Sequence, residues 1–354
     1  MTQPHWLVTW AGDDQDSALE VTASGAAADA VAARVPQLVA DGVAGAIAAQ
    51  DPTLWGPAAL PDATVRLGWV QLPDTSRPLV ARIEQLRAEL AAEGLDRVVL
   101  CGMGGSSLAA EVIARTGGVP LVVLDSTDPD QVAAALSELD RTVVVLSSKS
   151  GSTLETDCQR RAFEAAFTDA GIDPGSRFVV VTDPDSPLEQ FARRSPCRAV
   201  FTADPHVGGR FSALSAFGLV PAGLAGADVD GLLDSAAVVA DLVADDGEGN
   251  PALVLAAALA GTTPLRDKTV LVDEGSGTAG FGDWAEQLLA ESTGKQGTGL
   301  LPVVVEGPQA PELISGAPDL VVVRLVAVQD PDDLADGAEA GAAPDGGHGA
   351  EVTV

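Results

Sequence analysis

The sequence predicts an α/β protein built on doubly wound parallel sheets. Three observations carry this reading: short Val- and Leu-rich runs that are apolar at nearly every position, helical segments between them, and Gly- or Ser-rich turns where the runs end. Runs of this kind belong to strands covered on both faces, and helical spacers between parallel strands imply right-handed βαβ crossovers.

The elements follow in order. Residues 24–50 and 78–93 carry helix formers with apolar positions at helical spacing, Leu79, Ile83, Leu86 and Leu90 among them, so residues 1–93 are expected to be a mainly helical N-terminal segment. After Gly94 come the strand candidates RVVLCG (97–102), VPLVVLDS (119–126), RTVVVLSS (141–148) and RFVVVTD (177–183), which define a first α/β domain over 94–225. KTVLVDE (268–274), a helix, LLPVVVEG and DLVVVRL define a second over 226–329, expected to be incomplete and without a residue-level repeat of the first. Residues 330–354 form an acidic low-complexity tail with seven acids between Asp330 and Glu351, ending in VTV like the start of a strand. A chain cut short and a frayed tail are both open readings of that ending.

The chain of 354 residues carries 51 acids against 20 Lys and Arg, a formal charge of −31. Long-range repulsion then argues against nucleic acid and anionic membrane as partners, and any anionic ligand needs a local site. MTQPHWLVTWAGDD has no positive region followed by an apolar run, and no stretch reads as an uninterrupted membrane span. A cytoplasmic protein is expected. Cys101, Cys158 and Cys197 have neither disulfide-scaffold nor zinc spacing, so neither a disulfide framework nor a metal is expected.

Ligands of open α/β sheets sit at the carboxyl ends of strands, which directs attention to the strand-to-helix turns. In CGMGGSSLAAEVI, Gly102, Gly104 and Gly105 precede Ser106 and Ser107 at the start of a helix, an arrangement that presents N–H groups to an anion. Asp125 lies suitably downstream for a dinucleotide site, but the third position of the glycine fingerprint is Ser107; a structural tight turn is the other reading. In SSKSGSTLET (147–156), Ser148, Lys149, Ser150, Gly151, Ser152 and Thr153 follow the third strand. One hydroxyl suffices to cap a helix, and this many beside exposed N–H groups form a donor cup suited to a phosphate monoester.

In DPHVGGRFSALSAFG, Arg210 is the only basic side chain between Arg198 and Arg266, an interval with eight acids. It follows Gly208 and Gly209, which allow close backbone approach; a surface ion pair is the plainer reading, and His206 is read as a hydrogen-bonded turn residue ahead of a catalyst. In GDWAEQLLAESTGKQGTG, Trp284, Gln287, Leu288 and Glu291 share a helix face. Burial there would raise the Glu291 pKa towards that of a general base, while an acid at a frayed helix end is the alternative. Gly294–Lys295 is not a P-loop, because Leu289 and Gln296 occupy defining positions.

Taken in order, GMGGSSLA, SSKSGSTLET, VGGRFSALSAFG and EQLLAESTGKQG resemble the phosphoglucose isomerase family of two sugar-isomerase (SIS) domains, over about Gly102 to Pro302. The resemblance implies that Ser148, Ser150, Thr153 and the backbone around Lys149 hold a sugar phosphate. It implies that Gly105 and Ser106 line the sugar site, Gln287 helps position the sugar, Gly209 and Arg210 lie beside the reacting carbons, and Glu291 moves a proton between C1 and C2. The implied reaction interconverts glucose 6-phosphate and fructose 6-phosphate, with no cofactor and no metal, in a homodimer when the full-length chain is present. A bifunctional phosphoglucose/phosphomannose isomerase and a non-catalytic SIS module that binds a sugar phosphate are the alternatives. Typical members are longer and carry a ring-opening histidine and a late lysine beyond the catalytic Glu. Here only His348 follows Glu291, in the tail, and no lysine follows Lys295, so neither role passes to a residue and a shortened, less active enzyme is expected.

Overall fold

A computed structural model describes residues 5–11, 18–314, 316–327 and 350–354. Its strands are β1 (His5–Ala11), β2 (Ala18–Ser24), β3 (Arg97–Cys101), β4 (Val122–Leu124), β5 (Thr142–Ser148) and β6 (Phe178–Thr182). They continue with β7 (Ala199–Thr202), β8 (Lys268–Asp273), β9 (Leu301–Val305), β10 (Leu320–Leu325) and β11 (Ala350–Thr353). The chain divides into two compact units, Met1–Leu54 with Val238–Val354, and Trp55–Ala237.

The Trp55–Ala237 unit holds a five-stranded sheet in the order β4-β3-β5-β6-β7, and every neighbouring pair is parallel. Val143, Val144, Val145 and Leu146 of β5 are all fully buried, each worth roughly 1.5–3 kcal/mol relative to exposure. Helices make that burial possible. On one face the Arg77–Ala92 helix packs Val80, Ile83, Leu86 and Leu90 into a core with Val98, Val145 and Val181. On the other, Phe163 and Phe167 of the Leu154–Asp169 helix pack with Val99, Val144 and Val180. Because chain order steps from β3 outwards to β4 and then back past β3 to β5, β6 and β7, the sheet reverses its winding between β3 and β5. The turns after these two strands therefore flank the crevice where ligands of such sheets bind.

The other unit holds a six-stranded sheet in the order β1-β2-β11-β10-β8-β9. Strands β11, β10, β8 and β9 pair in parallel, and the β1–β2 hairpin adds to β11 antiparallel. The Gly25–Ala40 and Pro251–Ala260 helices cover it, with Val31, Val35, Val254 and Ala258 packed against Leu271, Val321 and Val352.

Helix in the first 93 residues begins only at Gly25, because residues 5–11 and 18–24 pair as a hairpin in which Val21 and Ala23 point inwards and Glu20 outwards. The VTV ending, read as the start of a strand, belongs to β11, which lies inside the sheet between β2 and β10 with Ala350 and Val352 buried. The observed division also cuts across the segment 1–93: its first 54 residues group with the C-terminal sheet and the rest with the first. The acidic stretch from Asp330, including His348, lies outside the described residues.

Candidate functional site

In the Trp55–Ala237 unit three turns meet at the carboxyl edge of the sheet. The first, after β3, contains the short 3-10 turn Gly104–Ser106. The second joins β5 to the Leu154–Asp169 helix, and the third is the 3-10 turn Gly209–Phe211. The buried Ser147 hydroxyl donates to Ser106 O at 2.9 Å, tying the first turn to the second. A methyl group on Gly105 would lie 2.6 Å from Gly209 O, so only glycine lets the first and third turns abut. Ser212 Oγ lies 3.1 Å from Gly105 O and 2.6 Å from Gly209 O, securing the same junction.

The second turn is where the hydroxyls gather. Ser148 Oγ and Thr153 Oγ1 are 2.8 Å apart, and Gly151 N–H donates to Ser148 Oγ at 3.1 Å. Ser150 Oγ accepts from Ser152 N–H at 3.2 Å and lies 3.1 Å from Ser152 Oγ. Thr153 occupies the N-cap of the helix, yet its side chain does not cap it. Capping alone therefore fails to account for these residues. Gly151 has φ +66, and a Cβ there would sit 2.8 Å from Ser186 Cβ and Leu188 N, so the turn is shaped by glycine as well.

A cavity of about 360 Å³ opens beside this turn, between the start of the Leu154–Asp169 helix and the Pro187–Arg194 helix. Ser148, Ser152, Thr153 and Thr156 line it together with Arg160 and Arg194. Arg160 stacks 4.4 Å above the Phe191 ring and lies 2.8 Å from Asp157. Burial pushes the Asp157 carboxyl up, but Arg160 and Arg161 outweigh it and hold the group below the usual carboxylate range. Thr156 is buried and its Oγ1 has no hydrogen-bond partner. Sequence reasoning did not single it out; its place three residues after Thr153, one helical turn on, was the available signal.

Lys149 extends to Asp183 at the end of β6, with Nζ 2.6 Å from Oδ2. Arg210 is half-buried, its guanidinium 5.3 Å from the Phe211 ring, which stacks on Trp69 at 5.1 Å. His206 is an exposed turn residue whose backbone N–H and Nδ1 both lie 2.8 Å from Asp204 Oδ1. Gly105, Ser106, Ser148, Lys149, Ser150, Thr153, Gly209 and Arg210 thus belong to one edge of one sheet.

Gln287 and Glu291 belong to the other unit, on the Phe281–Thr293 helix. Gln287 Nε2 donates to Glu291 Oε1 at 2.9 Å, while Gln287 Oε1 is buried without a partner. Lys295 Nζ donates to the Glu291 carbonyl. Glu291 itself is exposed, which corrects the expectation that its helix face would bury it. The face is real for Trp284 and Leu288, both half-buried, but Glu291 sits in the last turn, where the helix runs out into the exposed stretch Gly294–Thr298. Among the described residues no cluster of His, Cys, Asp and Glu is arranged to hold a metal ion, and no helix is long and apolar enough to cross a membrane.

The parallel sheet, its switch point and the donor-lined turns define a doubly wound α/β protein with a polar cup at the carboxyl edge of its strands. A family model described as phosphoglucose isomerase matches residues 82–262, just over half of the chain. The chain belongs to the phosphoglucose isomerase family. It is 36% identical over 219 residues to a probable glucose-6-phosphate isomerase of Natronomonas pharaonis, covering 60% of this chain and 51% of that one. It is 34% identical over 254 residues to a glucose-6-phosphate isomerase of Rubrobacter xylanophilus, covering 66% and 58%. The chain spans about half the length of the relatives it matches. A crystal structure of a hypothetical protein from Thermus thermophilus shares the fold at a TM-score of 0.67 and 28% identity, covering 87% of this chain and 76% of that one. A glucose-6-phosphate isomerase structure from Chlamydia trachomatis, at TM-score 0.66 and 19% identity, covers 94% and 79% and attests the same fold.

Proposed function

We propose that the chain is an aldose-ketose isomerase that interconverts glucose 6-phosphate and fructose 6-phosphate. The observation that carries the reading is the Ser148–Thr153 turn, a set of hydroxyls at a sheet switch point that is not spent on capping its helix. In this reading Ser148, Ser150 and Thr153 with the backbone around Lys149 hold the phosphate, and Gly105 and Ser106 line the sugar site. Hydroxyls and N–H groups suit a dianion here because they supply donors without needing lysines, of which the chain has three. Anchoring the phosphate fixes the remote end of the sugar and aligns C1 and C2.

Gln287 positions the sugar and the Glu291 carboxylate removes the proton from C2 of the aldose, giving a cis-enediolate, then returns it to C1. Arg210 stabilises the oxyanion that forms between these steps. A glycolytic and gluconeogenic role, a cytoplasmic site and a homodimer belong to the same proposal, as does the division into two SIS-type domains. The exposure of Glu291 favours a second reading, a module that binds sugar phosphate without turning it over. A coupled assay of wild type beside Glu291→Gln separates the two: turnover lost in the variant supports the isomerase, and equal turnover in both refutes Glu291 as the base. Binding of fructose 6-phosphate without turnover by the wild type supports the module.

A further inference from the structure

We propose that Asp183 is a positioning residue for the phosphate cup, acting through Lys149, whose ammonium serves as a strut rather than as a ligand of the anion. The inference rests on the reading of the Ser148–Thr153 turn as a phosphate site. Lys149 is the only lysine in the Trp55–Ala237 unit, and in a chain of charge −31 a solitary lysine in an anion-binding turn is expected to point at the anion. Its geometry is different. The ammonium is 2.6 Å from Asp183 Oδ2, and both side chains are mostly covered, 24% and 20% exposed.

The backbone repeats the connection, because Asp183 N–H donates to Lys149 O at 3.3 Å and Thr182 Oγ1 donates to Ser148 O at 2.6 Å. The lysine stem also passes close to the third turn: a Cβ on Gly209 would lie 3.9 Å from Lys149 Cδ, at van der Waals distance. One side chain therefore leaves the turn after β5, passes Gly209 and ends on Asp183, the residue that follows β6. Asp183 Oδ1 is buried with no partner, so the carboxylate is held there by the lysine and not by a wider network. Ser148, Lys149 and Ser150 lie at and beyond the last ladder pair of β5, and this clamp is what fixes their peptide groups in the orientation that presents N–H donors.

The test is a double-mutant cycle read by calorimetric titration with fructose 6-phosphate and with inorganic phosphate. Asp183→Asn and Lys149→Met are each expected to weaken binding roughly five- to tenfold, the scale of one ordinary hydrogen bond, because the pair acts on the anion only through the turn, and the double variant no further than either single. Asp183→Glu, which keeps a carboxylate, should restore most of the affinity. In turnover the loss should fall on KM with kcat within about twofold, because a fold defect lowers the active fraction and leaves KM alone. Lysine as a direct ligand predicts instead that Lys149→Met weakens binding while Asp183→Asn leaves it unchanged or tightens it, and that result overturns the proposal. Multiplying effects in the double variant, or a fall in kcat at constant KM, overturn it equally. A wild-type chain that binds neither phosphate probe sinks the functional reading, and this inference with it.

Discussion

The Ser148–Thr153 turn and the last turn of the Phe281–Thr293 helix hold the two halves of the proposed chemistry, and they are built on opposite plans. The turn is tied at nearly every residue: Ser148 to Thr153, Gly151 to Ser148, Lys149 to Asp183, and Ser147 to Ser106 in the neighbouring turn. Glu291 is exposed and its carboxylate accepts from Gln287 one helical turn away. Binding half and catalytic half thus differ in preorganisation. A cup of this kind can recognise phosphate by itself, whereas a general base needs a fixed distance to carbon, which exposure to solvent does not provide.

The sharpest way to break this comparison is Glu291→Gln. If Glu291 is the base, kcat falls by about two to four orders of magnitude while fructose 6-phosphate affinity stays within about twofold. A large loss of affinity would instead place Glu291 in the binding half. Next in size is Gly105→Ala. The added methyl meets backbone rather than a movable side chain, so the first and third turns must separate, costing about 1–3 kcal/mol in a denaturant titration and weakening phosphate binding together. Unchanged stability would show that the turns are less tightly joined than their contact implies.

Thr153→Val sharpens the comparison from inside the cup. It removes one donor and leaves the Ser148 hydroxyl without that partner, so KM should rise about tenfold, equivalent to about 1.4 kcal/mol, with little change in kcat. The smallest effect concerns the thiols. Exposed Cys158 should be alkylated first at neutral pH, while Cys101, fully buried beneath the first turn and pushed up by burial, should react only on unfolding. Cys197, raised to about 11 by burial, should react between them, and faster as pH rises. Early labelling of Cys101 would mean that the sheet beneath the cup opens locally.

The parallel core was legible because nothing but burial on both faces explains runs such as RTVVVLSS, and seven of the anticipated runs coincide with β3, β4, β5, β6, β8, β9 and β10. The hairpin was not, since Val21 and Ala23 supply too short an alternation to announce a strand. The VTV of β11 was legible as the start of a strand, but its place between β2 and β10 rests on long-range pairing that its low-complexity neighbourhood does not announce. At the site, the hydroxyls and glycines of each turn could be read locally. Asp183 could not, because its relevance comes from the adjacency of β5 and β6; nor could the exposure of Glu291, because periodicity defines a helix face without saying what covers it.

The most direct test of the phosphate reading is titration of the intact chain with fructose 6-phosphate, with inorganic phosphate as competitor, in wild type and in Ser148→Ala/Thr153→Val. Saturable binding that phosphate displaces in the wild type, and that the double variant loses although it still unfolds cooperatively, is the predicted result. Undiminished binding in that variant would contradict it.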